Sequence, residues 1–247
     1  MHENAIEVRN LKLSYVSRRA FSIKQSLLQF KKSERKCVEA LRGVSFDAVK
    51  GEVLGIVGRN GSGKSTLLQT LAGVFAPDEG SVDLKGNSIS LLSLGTGFQP
   101  EITGRENIML NGLLLGFSRA KLREKMEEII AFSELGEFID MPVRTYSSGM
   151  SSKLAFSITA ILETDIILVD EVLSVGDSHF RMKSYDKMRQ LIEKEDRTAL
   201  IVSHQENTLR ELCDRVLWLH DGQIREIGET EPVLSDYLSY MATGNSE

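Results

Sequence analysis

The chain has 247 residues, 41% hydrophobic and 26% charged, ordinary for a soluble globular protein and enough to bury one substantial α/β core. Its net charge of −5 argues against bulk nucleic-acid affinity, and its two cysteines, Cys37 and Cys213, lack metal-ligand spacing and read as reduced thiols. No apolar run approaches the ~18 residues needed to cross a bilayer, and the polar start Met1-His2-Glu3-Asn4 has no leader character. A cytosolic location is expected, with any membrane role exerted through a partner.

Ala5 to Tyr15 alternates apolar and polar residues, the pattern of a half-buried strand. Tyr15, at its end, either packs or stacks on an adenine ring. Residues 17–38 break the alternation, with seven basic residues against the single acid Glu34. Ile23, Leu27 and Phe30 share a face at helical spacing, so a short basic amphipathic helix is expected. It is either a solvated insertion with one docked face or a helix near anionic headgroups or an anionic substrate. Ala40 to Ala48 returns to strand alternation, and Lys50-Gly51 turns into Gly51 to Val57, a short apolar run that reads as a buried strand.

Next comes Gly58-Arg59-Asn60-Gly61-Ser62-Gly63-Lys64-Ser65-Thr66, followed by the helix-forming run Leu67 to Ala72. Strand, glycine-rich loop and helix is the context in which G-x-x-x-x-G-K-[ST] means phosphate binding. Glycines let backbone N–H groups turn inward around phosphate oxygens, and the helix adds its positive N-terminal end. Lys64 is then placed to neutralise β- and γ-phosphate charge, Ser65 to ligate Mg²⁺, and Thr66 to bond an α-phosphate.

Two short strands are expected at Ser81 to Gly86 and Ser88 to Leu92, then a loop marked by Gly95, Gly97 and Pro100. Helical spacing follows from Glu106 to Leu115 and Arg119 to Phe132, the second with Ser118 as N-cap, and again from Ser151 to Leu162. This helical block lies between two α/β blocks. Ile166-Ile167-Leu168-Val169-Asp170-Glu171 and Ala199 to His204 read as buried parallel strands, joined by a crossover helix over Asp177 to Lys194. A closing hairpin turns at Asp221-Gly222, and a short helix begins at Pro232.

Asp170 ends a buried strand, where an unpaired carboxylate is costly; holding Mg²⁺ beside Ser65 relieves that cost. Glu171 then stands where it can orient or deprotonate a water attacking a γ-phosphate. His204 is either structural or a contact to the γ-phosphate or the water. Thr145-Tyr146-Ser147-Ser148-Gly149-Met150 opens a helix, either as a simple N-cap or as a second anion site. Lys64 already serves the phosphates of one chain, so a second phosphate site suggests that two chains sandwich the nucleotide.

The order of phosphate loop, Ser-Ser-Gly run, Ile-Leu-Val-Asp-Glu strand, Ser174-Val175-Gly176-Asp177 and Ser203-His204 resembles the nucleotide-binding subunit of an ABC transporter over nearly the whole chain. The resemblance implies an α/β fold: a RecA-like P-loop NTPase core with an N-terminal antiparallel β subdomain and an inserted helical subdomain. One domain would span 1–247: a β subdomain and Walker A core over 1–97 with the basic insertion 17–38, a helical subdomain over 98–162, the Walker B and switch core over 163–230, and a C-terminal helix and tail over 231–247.

It further implies hydrolysis of ATP with Mg²⁺ by a head-to-tail dimer. Gly58, Asn60, Gly61, Ser62, Gly63, Lys64, Ser65 and Thr66 match the Walker A motif, and Tyr15 the adenine-stacking aromatic. Ser147 and Gly149 match the signature residues that act on the partner's nucleotide. Asp170 matches the Walker B acid, Glu171 the catalytic base, Asp177 the dimer-coupling acid and His204 the switch histidine. Two departures stand out: the signature reads Tyr-Ser-Ser-Gly-Met, and the register of the usual coupling-loop glutamine falls on Leu94, with Gln99 five residues late.

Tyr-Ser-Ser-Gly-Met, Leu94-Gly-x-Gly-Phe98, Thr103-Gly-Arg-Glu-Asn107 and Phe132 to Phe138 together resemble ATPases that export lipid-linked polysaccharides of O-antigen, teichoic acid or capsule type. In O-antigen and teichoic acid members a basic helical insertion occupies the place of 17–38, near the membrane. The expected partners are two copies of a transmembrane permease, a second copy of this chain, the inner membrane surface and the lipid-linked polysaccharide, with no nucleic acid. The expected location is peripheral, on the cytoplasmic face of the inner membrane. The alternatives are an ATPase for a drug or lipid exporter, or a soluble ABC protein acting on nucleic acid or ribosomes.

Overall fold

A computed structural model describes residues 3–17, 36–92, 97–170, 177–192, 197–203 and 205–243. The expected basic helix, Leu94, Glu171 and His204 lie outside the described residues.

The chain opens with a long antiparallel hairpin, β1 (Asn4–Ser17) against β2 (Lys36–Val49), and β4 (Glu79–Asp83) joins β1 on its other edge. The alternation in β1 buries Ile6 and Val8, and resumes with Leu11 and Leu13 after a register shift between Val8 and Leu11. β2 starts earlier than expected. Lys36, Cys37 and Val38, assigned to the basic segment on composition, pair with Ser17, Val16 and Tyr15. Cys37 and Val38 are exposed, so no buried face marks this end of the strand in the sequence.

The second sheet has the order β5-β6-β7-β3-β8-β9, from β5 (Ile89–Leu92), β6 (Ile166–Asp170), β7 (Thr198–Val202), β3 (Val53–Val57), β8 (Arg215–His220) and β9 (Gln223–Glu229). It is parallel except for β9, which returns antiparallel to β8. β3 and β7 are buried at every position, which explains their unbroken apolar runs. Leu54, Ile56, Leu168 and Leu200 pack toward the hairpin and α1 (Lys64–Leu71). Val53, Val57, Ile167 and Ile201 pack on the other side with residues of α4 (Ser148–Leu162), α5 (Ser178–Ile192), α6 (Glu206–Leu212) and α7 (Thr230–Thr243).

A helical layer completes the fold. α2 (Gly104–Leu114) begins at a capping box in which Thr103 and Glu106 satisfy each other's backbone N–H groups. α3 (Arg119–Ser133) begins at Ser118, whose hydroxyl accepts from Lys121 N, and stops at Glu134 in the left-handed conformation. Ile108, Leu122, Ile129, Leu154 and Ile158 form its core. Gly112 is the tightest contact there, because a Cβ would fall 2.1 Å from Leu122 Cδ2, a side chain with no exposure. Gly112→Val should therefore cost about 1–3 kcal/mol. Thermal unfolding would show it as a Tm lowered by roughly 2–4 °C per kcal/mol.

Some helices also differ from expectation. α4 begins at Ser148, three residues before the expected Ser151, with Ser147 as its cap. α6 was not anticipated, being only seven residues long. The final helix starts at Thr230 and runs 14 residues, with Pro232 in its first turn, where no N–H partner is needed.

Candidate functional site

The parallel strand β3 delivers the chain into residues 58–63, and α1 leaves from Lys64, so the loop crosses the carboxyl end of the sheet. Two glycines there have steric reasons. A Cβ on Gly58 would sit 2.2 Å from Leu219 O, and one on Gly63, at φ 104°, would sit 2.5 Å from Ala40 O. Asn60 is exposed at the tip, and Gly61, at φ 84°, has open space around it. The loop is braced from behind by the Asp221-Gly222 turn. Gly222 N donates to Ser62 O at 3.0 Å, and Gly222 O accepts from Arg42 N at 2.8 Å.

Inside the loop, Lys64 is 7% exposed and its Nζ donates to Gly58 O at 2.7 Å and Arg59 O at 3.1 Å. The Ser62 hydroxyl is buried with no hydrogen-bond partner among the described residues, a polar atom whose burial is costly unless something completes it. Ser65 Oγ donates to Asp170 Oδ1 at 3.3 Å, bringing the end of β6 to the first turn of α1. Tyr15 OH lies 3.3 Å from Thr66 Oγ1, and its ring meets Phe75 edge-on at 5.7 Å. Tyr15 retains an exposed face. The structure thus brings Tyr15, residues 58–66 and Asp170 into one cluster.

Ser147, Gly149 and Asp177 form a second one. Ser147 Oγ accepts from Met150 N at the start of α4, and a Cβ on Gly149 would meet Ser147 Oγ at an ordinary 3.8 Å. With Glu134, Phe138, Lys153 and Asp177 they line an open cleft of about 560 Å³. Asp177 Oδ1 accepts from Phe180 N at 3.0 Å, capping α5, and Oδ2 accepts from Lys153 Nζ at 2.8 Å. Those two bonds, the Lys153 one foremost, hold its carboxyl well below the usual carboxylate range.

Both departures noted in the sequence have local structure. Tyr146 OH donates to Phe138 O at 2.7 Å and closes on Gly104, where a Cβ would lie 2.3 Å from that oxygen. The aromatic residue at the head of the signature therefore pins the short turn at Gly136–Asp140 to the start of α2. Gln99 is exposed, while its backbone N and O both bond Asn107, a fully buried amide that also donates to Ile102 O and Thr103 O. Cys213 is buried, its thiol pushed up to about 12 by desolvation, and so offers no nucleophile.

Sequence reasoning missed Phe75, Lys153, Glu134 and the Gly222 brace. Each acts on residues distant in the chain; the Asp221-Gly222 turn itself is a local motif, but its bonds to Ser62 and Arg42 are not written in it.

The family model described as ABC transporter matches residues 41–174. The O-antigen export system ATP-binding protein RfbB of Klebsiella pneumoniae is 49% identical over 203 residues, 82% of each chain. RfbB of Myxococcus xanthus is 44% identical over 92% of this chain, which spans 53% of that protein's length. The teichoic acids export ATP-binding protein TagH of Bacillus anthracis is 41% identical over 88% of this chain and 39% of its own. Among solved structures, a dimeric ATP-binding cassette in a post-hydrolysis state with ADP and Pi shares the fold, with a TM-score of 0.69 at 23% identity over 92% of this chain and 99% of that one. The match to the family model and the close relatives agree with the phosphate-loop architecture: this chain belongs to the ABC transporter family.

Proposed function

We propose that this chain is the ATP-hydrolysing subunit of an exporter for a lipid-linked polysaccharide of O-antigen or teichoic acid type, acting at the inner face of a membrane through a separate transmembrane permease. The phosphate-loop geometry carries the nucleotide part of this reading. Glycines that admit no side chain, a buried lysine and an unpartnered Ser62 hydroxyl together fit a row of phosphate oxygens. Relatives named for O-antigen and teichoic acid export, at 41–49% identity, support the substrate class.

In this reading Lys64 faces β- and γ-phosphate oxygens, Thr66 the α-phosphate, and Tyr15 stacks on the base. Ser65 and Asp170, a hydroxyl and one carboxylate 3.3 Å apart, suit Mg²⁺, which takes few protein ligands and fills its shell with phosphate and water oxygens. Ser65 and Asp170 would hold the ion, whose charge would neutralise that of the phosphates. Glu171, next in the chain after Asp170, orients the attacking water, and His204 contacts the same region. Ser147 and Gly149 of a second copy close over the nucleotide with the N-terminal end of α4, and Asp177 sits at the edge of that junction.

Extraction of the native complex in mild detergent tests the export assignment. A multi-pass membrane protein should co-purify with this subunit, and undecaprenyl-linked polysaccharide should stimulate ATP turnover of the pair. Recovery of rRNA or DNA, or stimulation by hydrophobic drugs and not by the glycolipid, would replace the assignment.

A further inference from the structure

The cleft beside Ser147 contains a group of charges outside the recognised motifs. Lys153, on α4 and with a side chain only 15% exposed, reaches two carboxylates on two other elements: Asp177 Oδ2 at 2.8 Å and Glu134 Oε2 at 3.4 Å. Its ammonium also lies 4.9 Å from the centre of the Phe180 ring, which is fully buried. Glu134, at the left-handed end of α3, is held on its other oxygen by Lys183 of α5 at 2.8 Å. Lys183 in turn donates to Phe132 O at 3.0 Å, one of the last carbonyls of α3. Three helices therefore meet at alternating charges: Glu134 at the end of α3 joins Lys153 of α4 to Lys183 of α5, and Lys153 alone of these bonds Asp177 as well.

Asp177 is committed on both oxygens, one to the cap of α5 and one to Lys153. It stands seven residues after Asp170, which bonds Ser65 at the phosphate loop. Each end of that stretch is thus fastened by its carboxylate, the first to α1 and the second to α4.

We infer that Lys153 is a positioning residue, which sets the N-terminus of α4, with Ser147 and Gly149, in fixed register against Asp177 and the start of α5. Its role is positional, because two of its three donors are directed into the protein's own carboxylates. Its effect is on the geometry that one chain presents to the nucleotide of the other. This rests on the two-chain reading of the nucleotide site given above. A neutral side chain of similar length keeps the packing against Phe180 and loses both carboxylates, whereas arginine keeps both donors with a different fork.

The test uses the full chain with its permease, comparing Lys153→Met, Lys153→Arg, Asp177→Asn and the Met/Asn double variant. Lys153→Met should lower kcat by about tenfold or more, since small misplacements of an assembled site are costly. Affinity of the phosphate loop for a slowly hydrolysed ATP analogue should stay within about twofold, because that loop is in another cluster. Lys153→Arg should recover most of the rate. The double variant should be no worse than the poorer single one, as expected for two groups acting as a unit. Wild-type-like kcat in Lys153→Met, multiplicative losses in the double variant, or equal loss of analogue affinity and Tm without recovery by arginine would each overturn the inference. Should a complex in which one of the two chains carries a signature disabled by Gly149→Asp hydrolyse ATP with no loss of rate, the two-chain reading itself falls and this inference with it. That control is independent of Lys153.

Discussion

Gly58→Ala should weaken ATP affinity by about 100-fold or more while leaving the chain folded. The added methyl group would stand 2.2 Å from Leu219 O and 2.6 Å from Ser62 Oγ. The first is backbone in the middle of a sheet and cannot swing aside. Relief has to come from the loop, which must move outward by something near an ångström, a displacement that costs about 100-fold in an oriented site. The sheet and helical cores are untouched, so the stability loss should remain near the 1–3 kcal/mol of an overpacked site. Isothermal titration with ATP and Mg²⁺, paired with a melting curve, separates the two effects. Tight binding by the folded variant would mean that the loop is not the phosphate cradle.

Lys64→Ala should reduce kcat/KM for ATP by on the order of 100- to 1000-fold, the range seen when one preorganised donor is removed from a site that stabilises developing charge. The residue is 7% exposed and its ammonium is held by the carbonyls of Gly58 and Arg59, so its position is set by the loop before any phosphate arrives. Fixed charge of this kind needs no reorganisation at the moment of reaction. Steady-state phosphate release, measured with the permease present, gives the result. A variant within a factor of about three of wild type would contradict the role, because neutral substitutes leave the β- and γ-phosphate charge uncompensated.

Much of this arrangement was legible in the chain because local rules carry it. The apolar runs of β3, β6 and β7 follow from burial on two faces, Ser118 announces α3, and the Asp221-Gly222 turn announces the last hairpin. Local rules stop where contacts join distant segments. Lys153 and Asp177 are 24 residues apart, and nothing in a lysine on a helix reveals that it will meet a carboxylate capping another. The early start of β2 was hidden because Cys37 and Val38 are exposed on a strand that β1 recruits by backbone pairing alone. The length of α7 was hidden by Pro232, which marks a break inside a helix but is tolerated in a first turn.

The brace behind the phosphate loop has a consequence for how this protein tolerates sequence drift. Arg42 N, both main-chain groups of Gly222 and Ser62 O form an unbroken pair of backbone bonds from the three-stranded sheet to the loop. No side-chain atom takes part, so Arg42 and Ser62 can change identity while the strut stays whole. Only Gly222, at φ 76° with Ala40 O 2.8 Å from where a Cβ would be, is constrained by shape. A tilt of the N-terminal sheet, between whose first two strands the basic segment lies in sequence, would therefore reach Ser62 through main-chain bonds that no comparison of side chains would reveal.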